Sequence, residues 1–287
     1  MQIATVQTEI AQSRERGPLR EIKIPPCPEL LTRLRAAMAL QEPDLSEVQA
    51  IASADVAMSA TLLRVANSPV HLGDGAPCVS VGQAMTRLGL DATAELMTGF
   101  LVRNSIPVNS PHLQRFWERS SRRAMAMRLL VPKIPGLDPD IAPLFGLFCH
   151  VGMPVLLQSV RGYGATLVEA GARIDRPYVA TENANHKTDH AVVGALVARV
   201  WGLPQPLMAA VRLHHDFTVL SDSQLEPGVA ILVAAGLVAD QMMRRAEGLK
   251  PDADWTQQGE RVLDWLQISL TDVEEWTDQL AGIEEAY

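Results

Sequence analysis

The side chains of this 287-residue chain that could bind a metal ion or trade a proton in one cavity are Cys149, His150, Glu182, His190, His214, His215 and Asp216. Imidazole nitrogens and carboxylate oxygens are the common ligands of a hydrolytic metal ion, which activates a bound water by lowering its pKa. Such a centre needs neutral imidazoles, a carboxylate that offsets the ion's charge, and an open position for the water. The stretch from Glu182 to Asp216 supplies most of these types. The upstream pair, Cys149-His150, supplies no carboxylate. A lone buried cysteine is more often a small hydrophobe than a ligand.

Helices must hold these groups. Asp189 or Thr188 is placed to cap a helix that begins at His190, runs to Trp201 and stops at Gly202. Pro204 or Pro206 starts the next helix, which carries Leu207, Val211 and His214 on related faces. His190 stands at a helix N-terminus, where the dipole disfavours a proton, so its neutral form is expected. Further helix starts are read from the capping boxes Ser46–Gln49, Ser80–Gln83 and Thr271–Glu274, and from Asp91. Gly89 marks a helix end. Apolar stripes at helical spacing recur at Leu30, Leu31, Leu34 and Met38, at Val48, Ile51 and Ala52, and at Leu62, Leu63 and Ala66. No alternating run argues for a sheet; short extended pieces near Ile22–Ile24 are left open. Proline-bearing loops at 104–112, 132–143 and 220–228 punctuate the chain, the first as a lobe boundary.

Composition sets the class. Hydrophobic residues make up 47% and charged residues 20%, which is globular rather than disordered. Aromatics are 5%, so Ala, Leu, Val and Met fill the interior, as suits closely packed helices. Cys27, Cys78 and Cys149 are far apart, which excludes a disulfide framework or a zinc knuckle and fits a reducing compartment. The first 16 residues have no secretory h-region. The longest apolar run, Val229–Ala239, reads as too short to cross a bilayer. A cytoplasmic location without membrane attachment is expected. The net charge is −8, and residues 251–287 alone hold ten acidic residues against Arg261. The remainder is close to neutral, which argues against a general nucleic-acid binder.

Two further features invite functional readings. Arg115, Arg119, Arg122, Arg123 and Arg128 lie along one helix, either as a solvated face or as a nucleic-acid face. Val273, Trp276, Leu280 and Ile283 form the apolar stripe of an acidic C-terminal helix bearing Asp272, Glu274, Glu275, Asp278, Glu284 and Glu285. That stripe packs on its own lobe or docks on a partner, with Trp276 and Leu280 as the docking candidates. There is no Walker loop, GxGxxG, GxSxG elbow or Cys-His nucleophile pattern.

The succession Ile24-Pro25-Pro26-Cys27-Pro28-Glu29-Leu30, then Ala54 through Ser68 with Leu62-Leu63-Arg64-Val65-Ala66-Asn67-Ser68, then Ser80-Val81 through Leu88-Gly89, resembles the HDOD domain of bacterial signalling proteins over residues 22–240. Gly146-Leu147-Phe148-Cys149-His150-Val151-Gly152 resembles the GLLHDIG segment of the HD-type phosphohydrolases to which HDOD domains are related. Cys149 then stands in the place of the His and His150 in the place of the Asp. That exchange removes a negative charge and a bridging oxygen. His190 to Gly194 resembles the H-x-x-x-G helix start, and His214-His215 the downstream HH pair. A further histidine that the resemblance places after Phe116-Trp117 is replaced by Glu118-Arg119-Ser120-Ser121.

The resemblance implies an all-α protein of two helical lobes, the second a degenerate HD-like bundle. The expected organisation is a flank at 1–21, an N-terminal lobe at 22–106, an HD-like lobe at 107–245, and acidic helices at 246–287 packing on the second lobe. It implies a non-catalytic regulatory module of bacterial signalling that acts by binding signalling proteins, with a small ligand and self-association left open. Output would pass through contacts rather than a fused enzyme. Arg64 and Asn67 either stitch helices or, like Trp276 and Leu280, meet a partner. No cofactor and no catalytic residue are expected. The candidates for one metal ion, were it held, are His150, His190, His214 and His215. The rival readings are a metal-dependent phosphohydrolase acting on a nucleotide or cyclic dinucleotide, and a nucleic-acid-associated regulator.

Overall fold

A computed structural model of the chain describes residue 8 and residues 18–73, 75–113 and 115–285. Most of the 1–21 flank and the side chains of Glu284 and Glu285 lie outside the described residues. The described residues form α-helices and short 3-10 turns, with no strand among them, so the fold is all-α. Ile22–Ile24 is irregular.

Two compact units divide the chain: residues 26–107 with 281–287, and residues 1–25 with 108–280. The first holds α1 (Glu29–Met38), α2 (Leu45–Ser53), α3 (Val56–Ala66), α4 (Pro69–Leu72), α5 (Val81–Leu88) and α6 (Leu90–Ser105). The second holds α7 (Phe116–Leu130), α8 (Ile141–Phe148), α9 (Gly152–Ser159), α10 (Tyr163–Ala172), α11 (Tyr178–His186), α12 (His190–Val200), α13 (Gln205–Leu213), α14 (Pro227–Ala246), α15 (Ala253–Leu266) and most of α16 (Leu270–Glu285).

In the first unit Leu31 and Leu34, Val48, Ile51 and Ala52, and Leu62 and Ala66 of the expected stripes are buried, while Leu30, Met38 and Leu63 at their edges are partly exposed. The helix starts differ in detail from the sequence reading. Asp44, not Ser46, caps α2, its carboxylate accepting from the Glu47 N–H at 3.0 Å. Ser80 does cap α5, accepting from Gln83 N–H at 3.3 Å. Gly89, with φ 81°, both ends α5 and precedes α6, leaving Asp91 inside the first turn rather than at the cap. In the second unit Ser269 and Asp272 form the reciprocal box that starts α16, two residues before the expected Thr271. In both missed cases the helix starts earlier than expected, and an earlier side chain satisfies an orphan N–H of its first turn, that of Glu47 or Asp272.

Two apolar stretches of the second unit have the length and composition to cross a membrane. They are Ile141–Ser159 and Pro227–Ala246, and both are mostly buried inside the protein. The uninterrupted apolar run Val229–Ala239 underestimates the second, because the helix continues through Ala246. Helices α7, α8 and α14 pack on one another, α12 packs on α9 and α13, and α15 on α14.

Candidate functional site

Close backbone approach builds the site. A Cβ on Gly146 would lie 2.7 Å from the Arg123 carbonyl oxygen and the Ala124 nitrogen of α7. One on Gly152 would lie 2.1 Å from the His190 carbonyl oxygen and 2.7 Å from the Gly194 nitrogen of α12. Only glycine fits at either place, and the turn between them carries Cys149 and His150. The turn is thereby pressed between α7 and the start of α12.

Asp189 caps α12, accepting from Val192 N–H at 2.9 Å, and is itself held by the Asn183 amide at 2.6 Å. His190 consequently occupies the first helical position and is fully buried. Glu182, fully buried on α11, takes the His190 backbone N–H at 3.3 Å on Oε2 and faces His190 Nδ1 at 2.6 Å with the same oxygen. Its Oε1 accepts from the Tyr163 hydroxyl. Burial, then the Glu182 carboxyl, push the Tyr163 phenol well above its ordinary value, so it stays a donor.

Helix α13 ends at His214, whose Nδ1 lies 2.7 Å from the Val211 carbonyl oxygen. His215 Nδ1 meets the Asp254 carboxylate at the start of α15. The Nε2 atom of His190 stands 3.1 Å from Nε2 of His214 and 3.1 Å from Nε2 of His215. His150 completes the group: one ligand atom from each of the four histidines falls within 4.8 Å of the others. Burial first, then nearby positive groups, hold His150 and His214 well below the ordinary imidazole range. Burial opposes the charged form of His215, but Asp254 more than offsets it and raises its pKa.

The other sequence candidates lie apart from this group. Asp216 caps the 3-10 turn Phe217–Ser221 through Thr218. Cys149 is buried with its thiol donating to the Gly146 carbonyl at 3.8 Å; burial pushes it up to about 12, against the pull of the Arg123 guanidinium. Asn67 spends its amide inside the first unit, pairing with both backbone groups of Cys78 at 2.7 and 2.9 Å and accepting from Arg87 at 3.3 Å. Arg64 is exposed. Trp276 and Leu280 are 8% and 0% exposed, so neither stands free for a partner. Lys133 lies 5.6 Å over the Trp276 ring.

The arginine row is split: Arg115, just before α7, and Arg128 are exposed, whereas the three between them are engaged by acidic side chains. Arg123 is buried and donates to Asp240 of α14 at 2.6 Å, while Arg122 and Arg119 pair with Glu247 at 2.8 and 3.5 Å. A cavity of about 670 Å³ is lined by Arg119, Arg123, His150, Tyr178, His214, His215 and Asp254. Sequence reading missed Asp254, Tyr163 and Asp240. Asp254 carried one signal, a buried-side position in the first turn of α15, but the acidity of the whole segment masked it.

The donor set decides which metal chemistry fits. A hydrolytic metal pair needs an oxygen that bridges two ions. The four convergent donors are all imidazoles. They suit a single ion, with Glu182 and Asp254 behind two of them as the outer carboxylates that orient metal-bound histidines. They do not suit a bridged pair.

The profile of the HDOD domain family matches residues 24–217. A protein of Treponema pallidum (strain Nichols), described as uncharacterized, is 26% identical over 195 residues. The match takes in 67% of this chain, which spans only 38% of that relative's length. A solved structure from Marinobacter aquaeolei VT8, provisionally named a signal transduction protein, aligns with a TM-score of 0.76 at 19% identity, over 99% of this chain and 64% of that one. A second, from Shewanella amazonensis SB2B and provisionally named a phosphohydrolase, aligns with a TM-score of 0.65 at 20% identity, over 98% and 94%. At these identities the two likenesses concern the fold.

Proposed function

The chain belongs to the HDOD domain family, and from that premise we propose that it is a regulatory module of bacterial signal transduction that works by binding and performs no hydrolysis. One observation carries the reading. At the position where HD-type phosphohydrolases place the Asp of their His-Asp pair, this chain has His150, and its ring joins three other imidazoles. A four-nitrogen set offers no bridging oxygen, and four protein ligands on one ion close the shell that a catalytic site keeps open for water. The provisional name of the Marinobacter aquaeolei relative agrees in class.

On this reading the cytoplasmic module signals through protein contacts, with Arg64 on the exposed side of α3 a partner-facing candidate. The cavity beside the histidines has the volume of a small-ligand site. A nucleic-acid role fits less well, because Arg119, Arg122 and Arg123 are engaged by Glu247 and Asp240.

The phosphohydrolase reading has the Shewanella amazonensis relative's provisional name and the imidazole-lined cavity in its favour. Assay of purified protein, supplied in turn with Zn, Mn and Fe, against nucleotides, cyclic dinucleotides and model phosphodiesters separates the two. The expected result is no turnover above that of the ions alone. Turnover that disappears in His190→Ala would overturn the binding-module reading.

A further inference from the structure

Counting protons on the imidazoles leads to a cation. The Val211 carbonyl can only accept, so His214 must carry its proton on Nδ1, 2.7 Å away. His190 Nδ1 faces Glu182 Oε2, which already accepts the His190 backbone N–H, so its proton also belongs on Nδ1. His215 Nδ1 faces the Asp254 carboxylate in the same way. Each neutral ring then presents a bare lone pair on Nε2. Those lone pairs confront one another at 3.1 Å, from His190 to His214 and from His190 to His215. Lone pairs at hydrogen-bond distance with no hydrogen between them repel. One extra proton makes one straight hydrogen bond and leaves the second confrontation unrelieved. A divalent ion takes all of them together.

The distances agree. Two imidazole nitrogens bound at about 2.1 Å to one ion stand roughly 3.0 to 3.4 Å apart for right-angled to tetrahedral openings. Both observed Nε2 separations, 3.1 Å, lie in that range. The donor chemistry selects the ion. Four nitrogens with no oxygen or thiolate among them favour the imidazole-preferring transition metals over magnesium or calcium. Glu182 and Asp254, one behind His190 and one behind His215, supply two negative charges through the rings, matching a doubly charged ion.

We propose that His150, His190, His214 and His215 form a single-ion site for a divalent imidazole-preferring transition metal, pinning the α8–α9 turn to the start of α12 and the end of α13. This does not rest on the regulatory reading: a bound ion without turnover satisfies both, and turnover would sink that reading while leaving the ion in place.

The test uses the full chain, stripped with a chelator and titrated with Co(II) while visible absorption, bound stoichiometry and thermal unfolding are followed. The expected outcome is one equivalent bound, ligand-field bands in the visible, a raised melting temperature, and full displacement by Zn(II) but not by Mg(II). His150→Ala, at the part-exposed edge of the group, should weaken Co(II) at least tenfold with the helical circular dichroism intact. His190→Ala should abolish the bands, and His150→Ala keeps the test decisive if that protein misfolds. Failure of the folded wild type to bind Co(II) or Zn(II), two equivalents in one cluster, competition by Mg(II), or unchanged affinity in His150→Ala would each overturn the site.

Discussion

Gly152 of α9 lies so close to His190 of α12 that an added Cβ would come within 2.1 Å of the His190 carbonyl oxygen. Backbone on both sides leaves nothing to yield. Gly152→Ala should therefore cost about 3 kcal/mol or more in urea unfolding, at the top of the range for overpacked cores. Gly171 of α10 meets no atom at its Cβ position, and Gly171→Ala should instead gain about 0.5 to 1 kcal/mol. Equal effects of the two would contradict the close approach.

Asp254 and Asp216 should behave differently toward metal. Asp254 holds His215 through Nδ1, whereas Asp216 only caps a 3-10 turn. Asp254→Asn is expected to weaken Co(II) about 10- to 100-fold, as losses of outer-shell carboxylates do. Asp216→Asn should leave the affinity where it was. Matching losses in a calorimetric titration would show that both carboxylates merely support the fold.

Acid should weaken the metal-stripped protein. Burial holds His150 and His214 well below the ordinary imidazole value, so both stay neutral in the folded state while the unfolded chain takes up protons near pH 6.5. The stability they contribute is present above about pH 6.5 and falls as pH drops toward the folded values, by about 1.4 kcal/mol per pH unit for each imidazole. His215 acts in the opposite sense: Asp254 raises its folded pKa over the opposing effect of burial, so its share is present in acid and lost as pH rises through that value. With two depressed groups against one raised, urea midpoints should fall from pH 7.5 to 5.5. His150→Asn should flatten the decline. A midpoint that climbs on acidification would contradict the balance.

The Arg123–Asp240 pair is unequal. Arg123 is 6% exposed in its side chain and Asp240 is 25% exposed. Asp240→Asn strands a buried guanidinium and should cost about 3 to 5 kcal/mol. Arg123→Met leaves a carboxylate that water still reaches, and should cost less. Chemical denaturation of both variants reads the order directly.

Cys149, with its thiol pushed up to about 12 by burial, should resist thiol reagents in the native state. Cys27, partly exposed, should react first. Mass mapping after a short treatment at pH 8 would expose any early labelling of Cys149.

Much of this was readable from the chain. Helical spacing gave the stripes at Leu31 and Leu34 and at Val48 and Ile51, and Asp189 announced the helix that presents His190. The histidines were recognisable as a set through the resemblance of Gly146–Gly152, His190–Gly194 and His214-His215 to segments of HD-type phosphohydrolases. What escaped depended on neighbours distant in sequence. The row Arg119–Arg123 has a helical period that is the same whether it faces water or an acidic helix, and only α14, with Asp240 and then Glu247 beyond its end, decides the matter. Trp276 and Leu280 form a stripe that would look identical if it waited for a partner. Asp254 was hidden by its acidic company. Ser46 and Thr271 had the right residue types for caps, but Asp44 and Ser269 stand closer to the free N–H groups.

The pairing of His215 with Asp254 spans 39 residues of chain. On a ribosome adding about 5 to 20 residues per second, the histidine is made roughly 2 to 8 s before its carboxylate. The earlier members, from His150 to His214, are by then already synthesised. The lobe is thus assembled around an imidazole that must wait for the acidic tail, and a chain released in that interval carries all four histidines but only one of the two carboxylates behind them.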